Sequence, residues 1–315
     1  MLPSPSISSI NRLLPSDSTL FSYRHAFHAA NHADVLKHVI YTRILDYYLQ
    51  KETGFTVIDT HAGAGLYDLE HEWSQQSGEC VDGLDRVIEA ENVPEMVEGY
   101  LDAIAELNPD GLARYYPGSP WLAVSKLRKQ DSFHGFELHP NEYPLLQHNL
   151  QLIRTPAKRR VHVHAEDGFK EVLRLMPPHT RRGIVIIDPS YEAKTDYKKV
   201  FDSLTEILKR FAQCCIVIWY PIVQREEVRS LQRRLEQLKV EWLHASLTVK
   251  APQKDGFGLH GSGMFVINPP WVLTKELPST MKWLAKTLAQ DKDASFTFRH
   301  QAAKPVRRTT QNEYE

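Results

Sequence analysis

The chain contains 315 residues, which is enough for one large domain or two ordinary domains with a sizeable core. Hydrophobic residues make up 42% and charged residues 24%, which excludes disordered, collagen-like and coiled-coil proteins. The 38 Lys and Arg against 39 Asp and Glu give a net charge of −1, so the overall balance by itself indicates no polyanionic partner.

Three further features of the sequence argue against a secretory signal, a membrane-spanning helix and a disulfide framework. The first 20 residues include six Ser and three Pro and lack the layout of a secretory signal. They are interpreted as a flexible extension, with a transit peptide as the alternative. The longest apolar run, Cys214 to Val223, is about half the ~20 residues that a membrane-spanning helix needs. The three cysteines, Cys80, Cys214 and Cys215, indicate buried thiols in a reducing cytoplasm.

The first predicted elements are a helix and a strand. Apolar side chains recur every three or four residues from His32 to Gln50, which predicts a helix, and Asn31 is suited to cap its N-terminus. A short apolar strand, Phe55–Asp59, follows and leads directly into the small-residue turn His61–Gly65. A strand that enters a glycine-rich turn is typical of the first unit of a nucleotide-binding α/β fold.

A strongly acidic segment then interrupts the α/β pattern. From Tyr67 to Asp110 there are 13 acidic residues and one basic residue, Arg86, which gives a local net charge of −12. Apolar residues recur at helical spacing near its end: Val97, Leu101, Ile104 and Leu107. We therefore predict a small helical insertion with a solvated acidic face, spanning residues 67–112.

Helices and strands alternate strictly from residue 121 onward. The predicted helices are 121–128, 142–151, 169–176, 197–211 and 225–238. The predicted strands are 133–138, 161–165, 183–188, 215–220, 240–249 and 263–268. Together with the first strand they predict a Rossmann-like α/β fold, with a seven-stranded, mostly parallel sheet and an antiparallel last strand at its edge. This domain is expected to span residues 21–285 and to be followed by a tail, residues 286–315.

Acidic residues follow four of the predicted parallel strands. They are Asp59, Glu137, Asp167 and Asp188. Because ligands of such sheets bind at the carboxyl ends of the strands, Glu137 is suited to accept hydrogen bonds from ribose hydroxyls, and Asp167 from an adenine amino group. Each residue alone is most simply an ordinary solvated carboxylate, but four in register predict a nucleoside site.

The glycine turn narrows the class of cofactor. The His61–Gly65 turn lacks the third glycine of a dinucleotide fingerprint, because Asp68 stands at that position. No acidic residue about 20 positions further on ends a strand. The turn therefore favours a cofactor without a pyrophosphate, such as S-adenosylmethionine.

The tetrapeptide Asp188–Tyr191 ends the predicted central strand and suits methylation of an adenine amine. The lone pair of that amine is delocalised into the ring, so a carboxylate and a backbone carbonyl that both accept from it are needed to localise the pair. Asp188, the carbonyl of Pro189 and the ring of Tyr191, stacking on an extracted base, stand in the required order. The similar Asn268–Trp271 follows the last, antiparallel strand, and we therefore interpret it as a turn after an edge strand.

These motifs resemble those of the 23S rRNA adenine-N6 methyltransferases of the RlmJ type. The resemblance covers the chain from about Phe21 to about Trp283. It rests on the motifs Tyr23–His38, Asp59–Gly65, Arg114–Pro120, Glu137–Pro140, Asp167–Gly168 and Asp188–Tyr191.

The resemblance implies the fold and the activity of an S-adenosylmethionine-dependent methyltransferase. It implies that Asp188 is the proton acceptor and that Tyr23 contacts the RNA. It also implies a set of residues around the cofactor: His38, His61, Ser119, Glu137, Asp167, Gly168 and Asp188.

Two departures from the family pattern accompany the resemblance. Ser190 stands where the family more often has a second proline, which removes a restraint on φ and is expected to affect the rate of methylation. Ala30 stands where the family usually has glycine.

The histidines at the start of the chain raise the alternative of a metal site. His28 and His32 are four residues apart, as ligands on one helical face would be. No Cys or Glu completes a set, so no metal is predicted. Lys37 and His38 are instead expected to point from the first helix to the RNA and to the cofactor.

Basic residues cluster outside the insertion. The segment from Arg154 to Arg182 holds eight basic and three acidic residues, and without the insertion the chain has 37 basic and 26 acidic residues. The near-neutral total is therefore a cancellation, and a basic RNA-facing side is predicted.

The sequence thus predicts a cytoplasmic, monomeric methyltransferase acting on protein-free or early-assembly 23S rRNA. A DNA adenine-N6 methyltransferase is one alternative, disfavoured because the only extra segment is acidic. A catalytically weak or inactive rRNA-binding assembly factor is the other.

Overall fold

The structure, a computed structural model, describes residues 28–71, 78–253 and 258–303. The α-helices of this part are α1 (His32–Leu49), α2 (Arg86–Ile88), α3 (Glu95–Leu107), α4 (Ser119–Lys126), α5 (Glu142–Leu152), α6 (Gly168–Glu171), α7 (Lys194–Arg210), α8 (Glu226–Glu236) and α9 (Trp271–Thr287). The strands are β1 (Thr56–Asp59), β2 (Leu66–Asp68), β3 (Tyr115–Pro117), β4 (Ser132–Phe136), β5 (Val161–His164), β6 (Gly183–Ile187), β7 (Cys215–Ile222), β8 (Trp242–Thr248), β9 (Gly261–Ile267) and β10 (Ser295–Gln301). As predicted, Asn31 caps α1, and its side chain accepts from the amides of Ala33 and Asp34.

Eight strands form one mixed sheet in the order β5-β4-β1-β6-β7-β9-β8-β10. The first five of these strands are parallel neighbours. β9 is antiparallel to both β7 and β8, and β10 is antiparallel to β8. The chain builds the sheet outward from β1 in both directions, which creates the crevice where ligands of such folds bind. The predicted Rossmann-like α/β fold is confirmed.

Two details of the sheet differ from the prediction. The sheet has eight strands instead of seven, because β10 lies within the expected tail and pairs with β8 over its whole length. β9 was expected at the edge of the sheet, but it lies between β7 and β8. It is antiparallel to its neighbours, as predicted.

Helices cover both faces of the sheet. α1, α4 and α9 lie over one face, where Leu36 and Leu277 join the larger buried apolar cluster. α7 and α8 cover the other face through side chains such as Val200 and Leu231. α1 is buried almost all round, because it packs against β9, α4 and α9 and is also covered by α3. Polar residues of α1 are therefore held rigidly within the protein.

The acidic segment leaves the main sheet, as expected for an insertion. β2 and β3 pair in a two-stranded antiparallel sheet at its base, and a π-helical turn, Val81–Asp85, precedes α2. α3 packs on α1 and α9 through its apolar side. Its acidic side chains are exposed and recur every three or four residues: Glu95, Glu98, Asp102 and Glu106. The predicted solvated acidic face is present on α3.

Candidate active site

The carboxyl ends of β1, β4, β5 and β6 surround one cleft of about 260 Å³. These strands are parallel neighbours, so the residues that follow them emerge at the same edge of the sheet. Nearly all predicted site residues that the structure describes line this cleft: Lys37, His38, His61, Ser119, Glu137, Asp167, Gly168, Asp188 and Pro189.

Asp59 ends β1 beneath the cleft and is fully buried. Its carboxylate accepts a hydrogen bond from the Ser119 hydroxyl at 2.7 Å and another from the His61 amide at 3.2 Å. Burial raises the pKa of Asp59 to about 7, although the two hydrogen bonds act in the opposite direction. This carboxyl group therefore titrates near neutral pH and ties α4 to the end of β1.

Glu137 follows β4 and is held by the glycine turn. Its two carboxylate oxygens accept from the amides of Gly63 and His139, both at 2.7 Å. Gly63 has a φ of +58°, a conformation that favours glycine and that directs its amide at Glu137. Burial raises the pKa of Glu137, and the backbone hydrogen bonds oppose this effect. Each oxygen keeps a lone pair for a hydroxyl donor in the cleft.

Gly168 brings α6 close to the end of β1. A β-carbon at this position would lie 2.1 Å from the carbonyl oxygen of Thr60, so no larger residue fits without movement of the backbone. Asp167 caps α6 by accepting from the amide of Phe169 at 3.1 Å. The Asp167–Gly168 pair thus combines a fixed carboxylate with a close backbone approach, which suits a planar base.

Two histidines form part of the cleft wall. His61 packs edge-on against Phe169, with ring centroids 4.5 Å apart, and burial lowers the pKa of His61 to about 3. It is therefore neutral at physiological pH. His38 is fully buried, and its Nδ1 lies 2.8 Å from the hydroxyl of Tyr116, which in turn lies 3.1 Å from that of Tyr100. This chain of hydrogen bonds reaches α3.

Lys37 joins α1 to the end of β6. Its Nζ lies 2.7 Å from Asp188 and 2.9 Å from Asp34, and the Lys37 side chain is 5% exposed. Burial alone lowers the pKa of Lys37, but the two carboxylates outweigh this effect and raise it above the ordinary value. Lys37 was expected to contact RNA; in this structure its ammonium group lies between the carboxylates of Asp34 and Asp188, and a contact with RNA stays a prediction.

Tyr191 also differs from the prediction. Its side chain is 2% exposed, and its hydroxyl donates to the Trp219 carbonyl at 2.6 Å. A φ of +54° at Tyr191 turns the ring away from the cleft, into a cluster with Tyr197 and Trp219. In this structure the ring is thus not open to the cleft, and its stacking on an extracted base stays a prediction. Tyr191 shapes the loop that follows β6 and is not an open stacking surface.

The other three residues of the tetrapeptide line the cleft. Pro189 lines the cleft, and Ser190 is exposed beside it. Within the described residues, no amide or side chain donates to the Pro189 carbonyl. Its predicted role as an acceptor for the substrate amine stays a prediction. Tyr23 lies outside the described residues.

Some contacts of the site were not predicted. Asp34 holds Lys37, and it also accepts from the amide of Ala30 at 3.0 Å. Its spacing of three residues from Lys37 on a helix was the available signal. Tyr116, the partner of His38, had no signal beyond its place in the Arg114–Pro120 motif.

The expected turn at Asn268 lies at the opposite edge of the sheet. Its side-chain amide donates to the carbonyls of Ala212 and Cys214, both at 2.8 Å, just before β7 begins. These bonds fix the start of β7, and the predicted position of the turn, at the edge opposite the cleft, is confirmed. The strand it follows is internal.

No group of three or more His, Cys, Asp or Glu side chains in the described ranges is arranged to hold a metal ion. His28 lies instead 3.1 Å from Glu79 in the insertion, and burial lowers the pKa of His32 to about 4. In the same ranges, no helix is long and apolar enough to cross a membrane.

A doubly wound sheet with carboxylates at the ends of β1, β4, β5 and β6, closed by antiparallel strands, is the architecture of the Rossmann-like S-adenosylmethionine-dependent methyltransferases. The chain belongs to the family described as ribosomal RNA large subunit methyltransferase D, RlmJ, whose model matches residues 52–299.

Curated relatives and a solved structure agree with this membership. The chain is 40% identical to ribosomal RNA large subunit methyltransferase J of Escherichia coli (strain K12), over 85% of this chain and 94% of the relative. It is also 40% identical to the protein of the same name from Haemophilus influenzae, over 88% of this chain and 98% of the relative. A crystal structure of a Legionella pneumophila protein covers 86% of this chain and 98% of its own, with 31% identity and a TM-score of 0.77.

Proposed function

We propose that this protein transfers a methyl group from S-adenosylmethionine to the N6 amine of one adenine in 23S rRNA. The observation that carries the proposal is the Lys37–Asp188 ion pair of 2.7 Å at the end of β6. Beside it lies the Pro189 carbonyl, which accepts no hydrogen bond from any described residue. The family and its curated relatives support an rRNA substrate and this cofactor.

The residues of the cleft fit the chemistry of the cofactor. Glu137 offers its remaining lone pairs to ribose hydroxyls, and Asp167 is suited to accept from an adenine amino group. Gly168 keeps the wall open for the base, and neutral His61 leaves the positive charge of a sulfonium unopposed. When it is bound, S-adenosylmethionine supplies an electrophilic methyl group.

Asp188 and Pro189 prepare the target amine for attack. The Asp188 carboxylate and the Pro189 carbonyl both accept hydrogen bonds, so together they can hold the two N–H groups of an adenine amine. Accepting hydrogen bonds from both N–H groups reduces delocalisation of the nitrogen lone pair into the ring. The amine is thereby oriented within a cleft that limits its motion, and such orientation lowers the barrier of a two-substrate reaction.

Lys37 positions the Asp188 side chain. Its Nζ lies 2.7 Å from Oδ2 of Asp188, so the ion pair fixes the orientation of the carboxylate in the cleft. After methyl transfer the N6 nitrogen carries a positive charge and must release one of its two protons to give neutral N6-methyladenine. Asp188 is placed to accept that proton and to return it to solvent, since its side chain is 14% exposed.

The decisive experiment measures methyl transfer from labelled S-adenosylmethionine to protein-free 23S rRNA, duplex DNA and assembled large subunits. We expect transfer to protein-free rRNA, with the label recovered as N6-methyladenosine after nuclease digestion. Transfer to DNA alone would overturn the proposal in favour of a DNA methyltransferase. No transfer to any RNA, with intact cofactor binding, would indicate an assembly factor.

The Asp188→Asn variant tests the proposed role of the carboxylate. It keeps the shape of the side chain but removes the anionic acceptor, so kcat should fall by at least about 100-fold, on the order of a lost general base. Cofactor affinity, measured by isothermal titration calorimetry, should change far less. Asp202→Asn removes an ion-paired carboxylate on α7 and serves as the control that keeps full activity. Equal activity of the two variants would contradict the role of Asp188.

The proposal includes the location and the state of the protein. It acts in the cytoplasm, as a monomer, on free rRNA or on an early assembly intermediate. Sedimentation of the protein with and without rRNA checks the oligomeric state.

A further inference from the structure

The edge of the sheet opposite the cleft carries an unusual concentration of positive charge. Six exposed basic residues lie in the segments that enter β4, β5 and β6, and we call them the basic edge. They are Lys129, Arg154, Lys158, Arg159, Arg160 and Arg181.

The strand register brings these segments together. Gly183 at the start of β6 pairs with Thr56 of β1, and Thr56 pairs with Ser132 at the start of β4. Phe133 then pairs with Val161, where β5 begins. Neighbouring strands are about 4.8 Å apart, so the segments entering β6, β1, β4 and β5 lie along roughly 15 Å of one edge.

The basic edge differs from the other basic surfaces in having no acidic partners. Within the described part of the chain, none of its six side chains forms an ion pair or a hydrogen bond with the protein. By contrast, exposed lysines and arginines of α7 and α8 pair with carboxylates: Lys194, Lys198, Lys199, Lys209, Arg229, Arg233 and Arg234.

Nearby acidic residues do little to offset this charge. Asp131 is fully buried and is paired with Arg128. Glu52 is exposed before β1, but Lys51 stands beside it. Unpaired cations that repel one another cost stability, so their concentration on one edge points to a polyanion that binds there.

The basic edge cannot take part in the chemistry of the cleft. The strands between the two edges have four or five residues, which at about 3.3 Å per residue separates them by roughly 15 Å. A phosphate held at the basic edge therefore lies far from Asp188. It belongs to a part of the RNA remote from the target adenine.

We propose that the basic edge is a second RNA-binding surface, which holds the phosphate backbone of a structured region of the rRNA substrate while the adenine occupies the cleft. The proposal rests on the proposed function. It predicts that only an RNA long enough to reach both edges of the sheet binds with full affinity. A shorter RNA is still methylated.

The test is a triple substitution, Lys158→Gln, Arg159→Gln and Arg160→Gln, in the full-length protein. The matched control is Lys198→Gln, Lys209→Gln and Arg233→Gln, which removes the same charge from ion-paired positions. Thermal unfolding verifies that both variants fold. Each is assayed with full-length protein-free 23S rRNA and with fragments progressively shortened around the adenine that the wild-type protein methylates.

We expect the KM of the triple variant for full-length rRNA to rise by about tenfold or more at low salt, with kcat unchanged. The slope of log affinity against log salt should become shallower by about 2, as expected for three lost phosphate contacts. With the shortest active fragment, the triple variant and wild type should have the same KM.

Two outcomes would overturn this inference. One is a triple variant with the same KM and salt slope as wild type. The other is an equal effect of the control, because the effect would then follow from net charge and not from this edge. A wild-type protein that transfers no methyl group to any RNA would instead refute the proposed function, so the two failures are distinguishable.

Discussion

Lys37 links the stability of the fold to the chemistry of the cleft through a single side chain. It lies between Asp34, one turn earlier on the same helix, and Asp188, which comes 151 residues later. Burying three charged groups together is costly, and such clusters are stable only when every charge is matched. Here the arrangement fixes the position of the proposed acceptor and also orients α1 on the sheet.

Asp59 should make stability depend on pH. Burial favours its neutral form, so between about pH 4 and pH 7 the folded state binds more protons than the unfolded state. The stabilisation by this group is complete below pH 4 and is lost as the pH rises towards 7. In Asp59→Asn this dependence is absent. Urea denaturation at pH 5 and 7 should give a wild-type minus variant difference that is smaller at pH 7 by about 2–3 kcal/mol.

The sign of this pH effect is specific to a buried carboxyl group. Subtracting the variant removes the contributions of other titrating groups, including His61, whose lowered pKa acts in the opposite sense. Parallel stability curves for the two proteins between pH 5 and 7 would contradict the assignment.

The sequence predicted which residues line the cleft better than how they are oriented. Strand ends of a parallel sheet converge, so Glu137, Asp167 and Asp188 could be placed from the alternation of strands and helices alone. The direction of the Tyr191 ring depends on one backbone angle, its φ of +54°, which no local pattern encodes. The commitment of Lys37 to Asp188 depends on a contact between distant parts of the chain.

At the scale of elements, the local pattern predicted strands but not their neighbours. The apolar run of β9 was recognised, yet its position between β7 and β8 depends on the connections of the whole sheet. β10 was missed because its alternation of apolar and polar residues is interrupted by Arg299 and His300. The segment before it also carries no clear turn signal. Its Phe296 and Phe298, two residues apart, were the usable signal.

The insertion and the cofactor cleft are connected by hydrogen bonds. Tyr100 on α3 and Tyr116 on β3 are both fully buried, and they extend the chain that begins at His38. The insertion therefore acts as a support for one wall of the cleft, in addition to presenting an acidic face. Tyr116 is a positioning residue, because it reaches the cleft only through His38.

Tyr116→Phe tests this connection. The variant loses the hydroxyl next to His38 Nδ1, so the imidazole loses a fixed orientation. We expect the free energy of unfolding to fall by about 1–3 kcal/mol and the Kd for S-adenosylmethionine to rise by about tenfold. Tyr100→Phe is the matched control, since it breaks only the outer link and keeps the contact with His38.

The two variants separate positioning from stability. If Tyr116 positions His38, Tyr100→Phe should lower stability with little effect on the Kd measured by calorimetry. Cofactor affinities that fall equally in both variants would mean that the cleft responds only to general destabilisation of the insertion.

At the scale of the whole molecule, charge is segregated among three surfaces. The exposed face of α3 is acidic, the basic edge is cationic and unpaired, and α7 and α8 carry paired charges of both signs. The net charge of −1 is the near-cancellation of these opposite charges and conceals their segregation. An RNA that approaches the protein is therefore attracted at one edge and repelled by the insertion, which limits the orientations in which it can bind.

Neutralising the acidic face of α3 should strengthen RNA binding without changing the cofactor site. In a variant with Glu95→Gln, Glu98→Gln, Asp102→Asn and Glu106→Gln, long-range repulsion is removed, so affinity for protein-free 23S rRNA should rise several-fold at low salt. The difference should vanish near 0.5 M salt, because screening then acts over about 4 Å. The Kd for S-adenosylmethionine should not change, since these side chains point to solvent.

A second variant separates the position of the charges from their number. Removing four ion-paired carboxylates from α7 and α8, at Asp202, Glu206, Glu226 and Glu236, changes the net charge equally but leaves the acidic face of α3 intact. If the insertion orients the substrate, only the α3 variant should also lose selectivity and methylate additional adenines, as mapped by nuclease digestion of the product. If both variants gained the same affinity and kept their selectivity, the insertion would act only through its net charge and would not orient the substrate.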